Sequence, residues 1–404
     1  MIHEFVNKRA EDKETSGQKK APARMPAFDY LRAFAVILEL YHHAILAYTT
    51  FAVINFENPI ATSSPVVNDK RWIGFDVTAA FNETFFMPLL FLISGIFVWQ
   101  SLTKKGIRKY LSGRLTRLGL PFVTGVFFLI PLAYYPAKLQ TGLISGTGSG
   151  YGAFWLGMIK SGFGTAGPLW FLWLLLAFNF LAAFLYRIAP FSGNLIRERA
   201  AIVFARPTVF YTALLVISMM AYLPVTLSIG PLKWTGIGPF HVQAGRILLY
   251  LVYFLAGTAA GAFGIDRSVF RSHGPLARHF RVWFAVSLLS FIVFLIMVVV
   301  VSAQDRTIAS EIAFAVCCWA AVFGMTGLFL RFIKGDIRIF SSLSGNSYGI
   351  YIVHYVFITW LQYLLLGNSL SPCIKGTLVF LITLILSWGT AAVIRQIPVI
   401  ARII

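Results

Sequence analysis

The sequence predicts an all-α, polytopic integral membrane protein with about ten transmembrane helices. Three observations carry this reading. Of 404 residues, 58% are hydrophobic and only 12% are charged, where an ordinary soluble domain carries about 25% charged residues. The apolar residues fall in runs of about 20, the length that crosses a bilayer core. The chain also lacks the alternating ten-residue segments that mark a membrane barrel. Helices are then the default, because each one satisfies its own backbone amides in lipid.

The apolar runs place spans near 28–50, 76–100, 118–137, 168–188, 208–229, 244–264, 282–303, 308–330, 346–366 and 375–396. The polar stretch 1–27, with six basic residues, reads as a disordered cytoplasmic tail. Residues 28–396 form the transmembrane domain, and 397–404 a short cytoplasmic C-terminus. The net charge is +19. On a soluble chain it would suggest nucleic acid. Here the basic residues sit in short loops between spans, which reads as topology and contact with anionic lipid headgroups, with no nucleic-acid partner. With the N-terminus inside, the inner segments, counted with Arg395 at the end of the last span, hold 25 of the 34 Lys and Arg residues, as the positive-inside rule requires.

Three cysteines, two of them adjacent inside a span, suggest neither a disulfide framework nor a metal site. In the outer loop 138–167, the glycine-rich run 145–150 lacks the strand-to-helix context of a phosphate cradle and reads as flexible. The apolar segment 153–162 is too short to span and suits an interfacial or re-entrant helix.

Ionisable residues inside spans are expensive and mark candidate sites. The first span carries Arg32, Glu39, His42 and His43. At about 100° per residue, Arg32, Glu39 and His43 share one face, and Arg32 and His43 are separated by roughly 16 Å of rise. His42 points about 100° away from His43. The stripe runs from cation through carboxylate to imidazole. It suits a long substrate whose anionic end sits on Arg32, with His43 as general base and Glu39 orienting it. A polar network that only locks helices together is the alternative reading of the same residues.

In the second span, Asp76 and Glu83 share a face, Pro88 predicts a kink, and Ser94-Gly95 would let another helix approach closely. Arg114 and Arg117, three residues apart at the start of the third span, would hold phosphate bidentately or anchor headgroups. In the ninth span His354, between Tyr351 and Tyr355, is either a wall of the site or a helix-to-helix hydrogen bond.

Five segments in this order resemble the acyltransferase 3 family of integral membrane acyltransferases. They are Tyr30-Leu-Arg32 with ten residues to His43, Met87-Pro-Leu-Leu-Phe-Leu-Ile-Ser94-Gly95, Arg114-Leu-Thr-Arg117-Leu-Gly-Leu-Pro121, Pro168-Leu-Trp170-Phe-Leu172, and Ser347-Tyr-Gly-Ile-Tyr351-Ile-Val-His354. The layout is most similar to the membrane proteins that succinylate periplasmic glucans. The resemblance implies a bacterial inner-membrane enzyme with a cytoplasmic N-terminus. It would move an acetyl- or succinyl-like group from cytoplasmic acyl-CoA to a hydroxyl of an envelope glycan or similar acceptor. It carries over Arg32 and His43 as the signature of the first helix and Arg114 and Arg117 as the basic signature of the third. Together with the stripe on the first span, His43 and Glu39 are the expected catalytic residues, and Arg32, Arg114, Arg117, His354 and Trp170 the expected substrate-binding residues. Acyl-CoA is a donor substrate, and no cofactor and no metal are expected. Direct transfer and an acyl-enzyme relay both stay open. The family often has histidine where this chain has Pro168, which puts the acceptor in doubt. A proton-coupled transporter or a non-catalytic export partner are the rival functions, since Glu39, Asp76, Glu83 and the histidines would also suit a proton relay.

Overall fold

The computed structural model describes residues 25–56, 64–145, 150–188, 206–300 and 308–404. Residues 1–24 of the expected tail 1–27, and most of the glycine-rich run, residues 146–149, lie outside the described residues, while Pro26 and Ala27 already belong to the first helix.

The α-helices of five residues or more are α1 (Pro26–Leu46), α2 (Ile73–Ile96), α3 (Val98–Lys105), α4 (Ile107–Arg114), α5 (Leu120–Thr124), α6 (Ile130–Ser145), α7 (Tyr151–Lys160), α8 (Trp170–Ile188), α9 (Pro207–Ile229), α10 (Ile247–Phe263), α11 (Phe280–Val300), α12 (Ile308–Phe332), α13 (Arg338–Leu364) and α14 (Pro372–Ile394). Among the described residues the sole sheet is a two-residue ladder, β1 (Trp234–Thr235) with β2 (Val242–Gln243). Each expected span overlaps a helix over its described residues, with shifted ends, and the short segment after residue 150 forms α7. The protein is an all-α polytopic membrane protein.

Eight helical stretches are long and apolar enough to cross a membrane. The other two long helices, α1 and α13, carry Arg32, Glu39, His42, His43 and His354, and these polar residues lower their hydropathy. Packing tolerates them, because α1 is ringed by α2, α12, α13 and α14. Lipid instead meets helices such as α9, α11 and α14, which expose Met220, Leu289 and Ile385.

α1 and α13 run parallel. At one end the Ser344 hydroxyl donates to the Asp29 carbonyl at 3.0 Å, and Tyr30 and Ser341 share a hydrogen bond of 2.6 Å. Near the other end Gln362 donates to the carbonyls of His43 and Ala44, both at 3.1 Å. Those two carbonyls lie in the last turn of α1, where no helical amide follows to meet them. Parallel helices start on one side of the membrane, and eight spans between their starts return the chain to that side.

α2 and α10 meet backbone to backbone. A Cβ on Gly95 would lie 2.1 Å from the Phe254 carbonyl oxygen, and one on Gly257 would lie 2.1 Å from that of Leu92. The close approach expected of Ser94-Gly95 is therefore made, with small residues at the contact.

The third span departs from expectation. It runs from Ile107 to Ile144 as one stretch, past the expected end at 137. It contains two wide π turns, Leu115–Gly119 and Gly125–Leu129. Pro121, Pro131 and Pro136 have no amide hydrogen, so the carbonyls four residues earlier, Arg117, Phe127 and Leu132, lose their helical donors. Each carbonyl is met from elsewhere: Arg117 by the Tyr348 hydroxyl, Phe127 by the Trp155 indole at 2.9 Å, and Leu132 by the Trp360 indole at 3.0 Å. Prolines survive in a membrane helix when neighbours satisfy the freed groups. Two of these donors lie on α13, which ties the third span to the helix carrying His354.

Cys317, Cys318 and Cys373 are free, the first two buried.

Candidate active site

His43 sits in the last turn of α1, where the negative end of the helix dipole favours a cationic imidazole. Its Nε2 lies 3.9 Å from Glu39 Oε1 one turn earlier. That is ion-pair range and too long for a hydrogen bond. Across from them α13 contributes His354, whose ring centroid lies 5.7 Å from that of His43, and Tyr355, at 5.2 Å. Glu39 and His354 are 2% and 1% exposed.

The hydrogen bonding fixes one tautomer. His354 Nδ1 lies 2.6 Å from the Tyr351 carbonyl oxygen. A carbonyl only accepts, so Nδ1 carries the proton and the lone pair of the neutral ring is on Nε2. That Nε2 is buried without a hydrogen-bond partner among the described residues, as are Glu39 Oε2 and His43 Nδ1. A buried polar atom left unmatched costs about 1–3 kcal/mol. Three of them on neighbouring side chains describe a site that a substrate's polar atoms would complete.

The same three residues could hold a metal ion. Each offers a ligand atom within 4.8 Å of the others, and the Nδ1–H of His354 bonded to a carbonyl is the outer-shell arrangement common to metal-bound histidines. This geometry was not anticipated from sequence, where the three residues were read as base, orienting group and wall.

A row of tyrosines leads away from His354 along α13. Tyr351 donates to the Pro168 carbonyl, and Tyr348 to that of Arg117. Both Arg114 and Arg117 lie within electrostatic range of the Tyr348 hydroxyl. The guanidinium of Arg114 stacks 5.1 Å over the Tyr110 ring, and Arg117 is exposed. The two arginines thus share a neighbourhood, although the π turn beginning at Leu115 interrupts the regular three-residue spacing expected for them. Arg32 is half exposed and pairs with Asp29 at 3.3 Å.

Trp170 stands elsewhere. Its ring packs against Tyr250 and Trp234, with centroids 5.8 and 5.7 Å away. This places it with a second polar group that the sequence reading missed. Arg246, 4% exposed, donates to Glu83 at 3.2 Å and to Gln243 at 3.3 Å. A lone arginine at the start of an apolar run was the available signal; its partner 163 residues away was not legible. His42 turns from His43 toward this group, with its ring 5.5 Å from Phe86 and within electrostatic range of Glu83 and Arg246.

Glu39, His43 and His354 form a histidine–carboxylate cluster inside a bundle of membrane helices, a candidate functional site. Residues 25–392 match the family model of the acyltransferase 3 domain, and the chain belongs to that family. It is an acyltransferase. No curated protein and no solved structure matches it.

Proposed function

We propose that the protein transfers an acetyl- or succinyl-like group from acyl-CoA, approaching from the cytoplasmic side, to a hydroxyl of an envelope glycan or similar acceptor in a bacterial inner membrane. The observation that carries this reading is the buried trio of unpartnered atoms on Glu39, His43 and His354. In the reaction His43 takes the proton of the acceptor hydroxyl as that oxygen attacks the thioester carbonyl. The tetrahedral intermediate collapses, the C–S bond breaks, and the leaving thiolate takes the proton back from His43. Glu39 and the end of α1 stabilise the imidazolium in between. The lone pair on His354 Nε2 accepts a hydrogen bond from the substrate and orients it. Arg114 and Arg117 hold the donor's phosphates, with Arg32 as a further cation on the α1 stripe. No step uses a metal or cofactor.

The test is turnover of radiolabelled acyl-CoA by the purified protein in lipid nanodiscs, with envelope glycan added. Label should pass to the glycan, and His43→Ala should stop it. Turnover unchanged in His43→Ala would overturn this mechanism.

A further inference from the structure

The Arg246 group takes no part in the proton transfers above, yet it is built like a binding site. Arg246 Nη1 holds Glu83 and Gln243, and the Tyr250 hydroxyl donates to the same Gln243 oxygen at 3.2 Å. The guanidinium also lies 4.7 Å over the Phe314 ring. Its Nε, in a side chain more than nine-tenths buried, has no hydrogen-bond partner among the described residues, and neither does Nδ1 of neighbouring His42. These are a donor and a ring nitrogen left for something else to meet.

The charge balance selects the occupant. Tyr222, which donates to Glu311 at 2.5 Å, is itself within electrostatic range of Arg246. Glu83 pairs with Arg246 one to one at 3.2 Å, so no positive charge is left over for an anionic ligand. Amide, phenol and guanidinium groups instead offer mixed donors and acceptors, which suit hydroxyls.

The aromatic wall points the same way. Trp234 stands opposite Gln243 in the β1–β2 ladder, is 44% exposed, and meets Trp170 edge-on. Trp170 in turn packs on Tyr250. Apolar ring faces thus run from the surface down to the buried polar atoms, the combination that fits a ring with an apolar face and a polar rim. The route ends at His42, whose ring lies 5.6 Å from that of His43.

We infer that Arg246, Gln243, Glu83, Tyr250, Trp170 and Trp234 form the binding site for a neutral, hydroxyl-rich acceptor of the glycosyl class, which enters past Trp234. The inference rests on the transfer reading for the purpose of the site, and on the geometry alone for its chemistry. The test titrates the purified full-length protein in nanodiscs, without acyl-CoA, with neutral α- and β-linked glucose hexamers and with the same chains oxidised to a terminal carboxylate. At least one neutral hexamer should bind saturably, with affinity at least tenfold weaker in Trp234→Ala and in Gln243→Leu, while acyl-CoA affinity holds in both. Trp234 is half exposed, so its variant keeps the test open if Gln243→Leu does not fold. Tighter binding of the oxidised chains, no binding of any neutral chain, or equal binding in the variants would overturn the site. If sugar binding depends on Trp234 but acyl-CoA is never consumed, the transfer reading falls and the site stands. If acyl-CoA is consumed and sugar binding ignores Trp234, the reverse holds.

Discussion

The hydroxyl of Tyr348 donates to the carbonyl of Arg117, the carbonyl that Pro121 deprives of its helical amide. One bond therefore repairs a proline defect, pins the π turn that carries Arg117, and joins it to the helix that carries His354. Removing the hydroxyl alone, in Tyr348→Phe, leaves a carbonyl without its donor, at a cost of about 1–3 kcal/mol. The expected result is a lower thermal unfolding midpoint together with a raised KM for acyl-CoA, while kcat stays near that of the native protein. A kcat loss with unchanged KM would detach this bond from donor binding.

Donor binding itself is tested at the arginines. A charge-assisted contact contributes roughly 1.5–3 kcal/mol, so Arg117→Ala should weaken acyl-CoA affinity by about tenfold to a hundredfold. Arg114→Ala should lose less, because that guanidinium already stacks on Tyr110. Equilibrium binding of acyl-CoA to each variant decides it. Native affinity in both would leave the pair as headgroup anchors.

The positive-inside bias of the sequence predicts that residues 101–117 lie inside. A cysteine placed at Ser112, an exposed position, should resist an impermeant thiol reagent in intact cells and react after lysis. Labelling in intact cells would invert the bundle and place the arginines on the wrong side for a cytoplasmic donor.

Legibility followed the range of the interactions. The helices were readable because a run of about 20 apolar residues needs no partner to be recognised. Glu39 and His43 were readable as neighbours because both lie on one helix at a spacing of four. The meeting of His43 with His354 was not, since it depends on α1 and α13 running parallel. The prolines of the third span were inside the expected span, but what satisfies the carbonyls they free was not legible. They are interior residues because Tyr348, Trp155 and Trp360 arrive from distant segments to meet the freed carbonyls. Trp170 was assigned to substrate by its motif, but only the ladder pairing Trp234 with Gln243 shows which polar group it borders.

Glu39, His43 and His354 are close enough to serve a metal, while the acid–base mechanism needs none. Purified protein is expected to carry no stoichiometric transition metal by elemental analysis, and turnover should survive EDTA and phenanthroline. A bound ion at one per chain, lost together with activity on chelation and restored by zinc, would replace the general base with a Lewis acid.

The last prediction separates the three intramembrane histidines, which the structure gives different surroundings. His43 has Glu39 one turn away and sits in the last turn of α1, a carboxylate and a helix terminus beside the imidazolium that forms in the reaction. His354 already donates from Nδ1 to the Tyr351 carbonyl and offers only a lone pair. His42 faces Glu83 and Arg246. Loss of a general base costs about 10²–10⁴ in rate, so His43→Ala should abolish detectable transfer in protein that still inserts and folds. Glu39→Gln keeps the size but removes the charge beside the imidazolium, and should fall between His43→Ala and the native enzyme. His354→Ala should lose the hydrogen bond that orients substrate, lowering kcat less than His43→Ala does. His42→Ala should retain a large part of the maximal rate and show its defect as a raised KM for acceptor. The measurement is transfer of labelled acyl group to acceptor, normalised to folded protein, across a range of acceptor concentrations. Equal loss of kcat in His42→Ala and His43→Ala would mean that the two neighbours act as one unit. Full activity in His43→Ala would remove the base from the mechanism and leave His354, with its fixed lone pair, as the residue to test next.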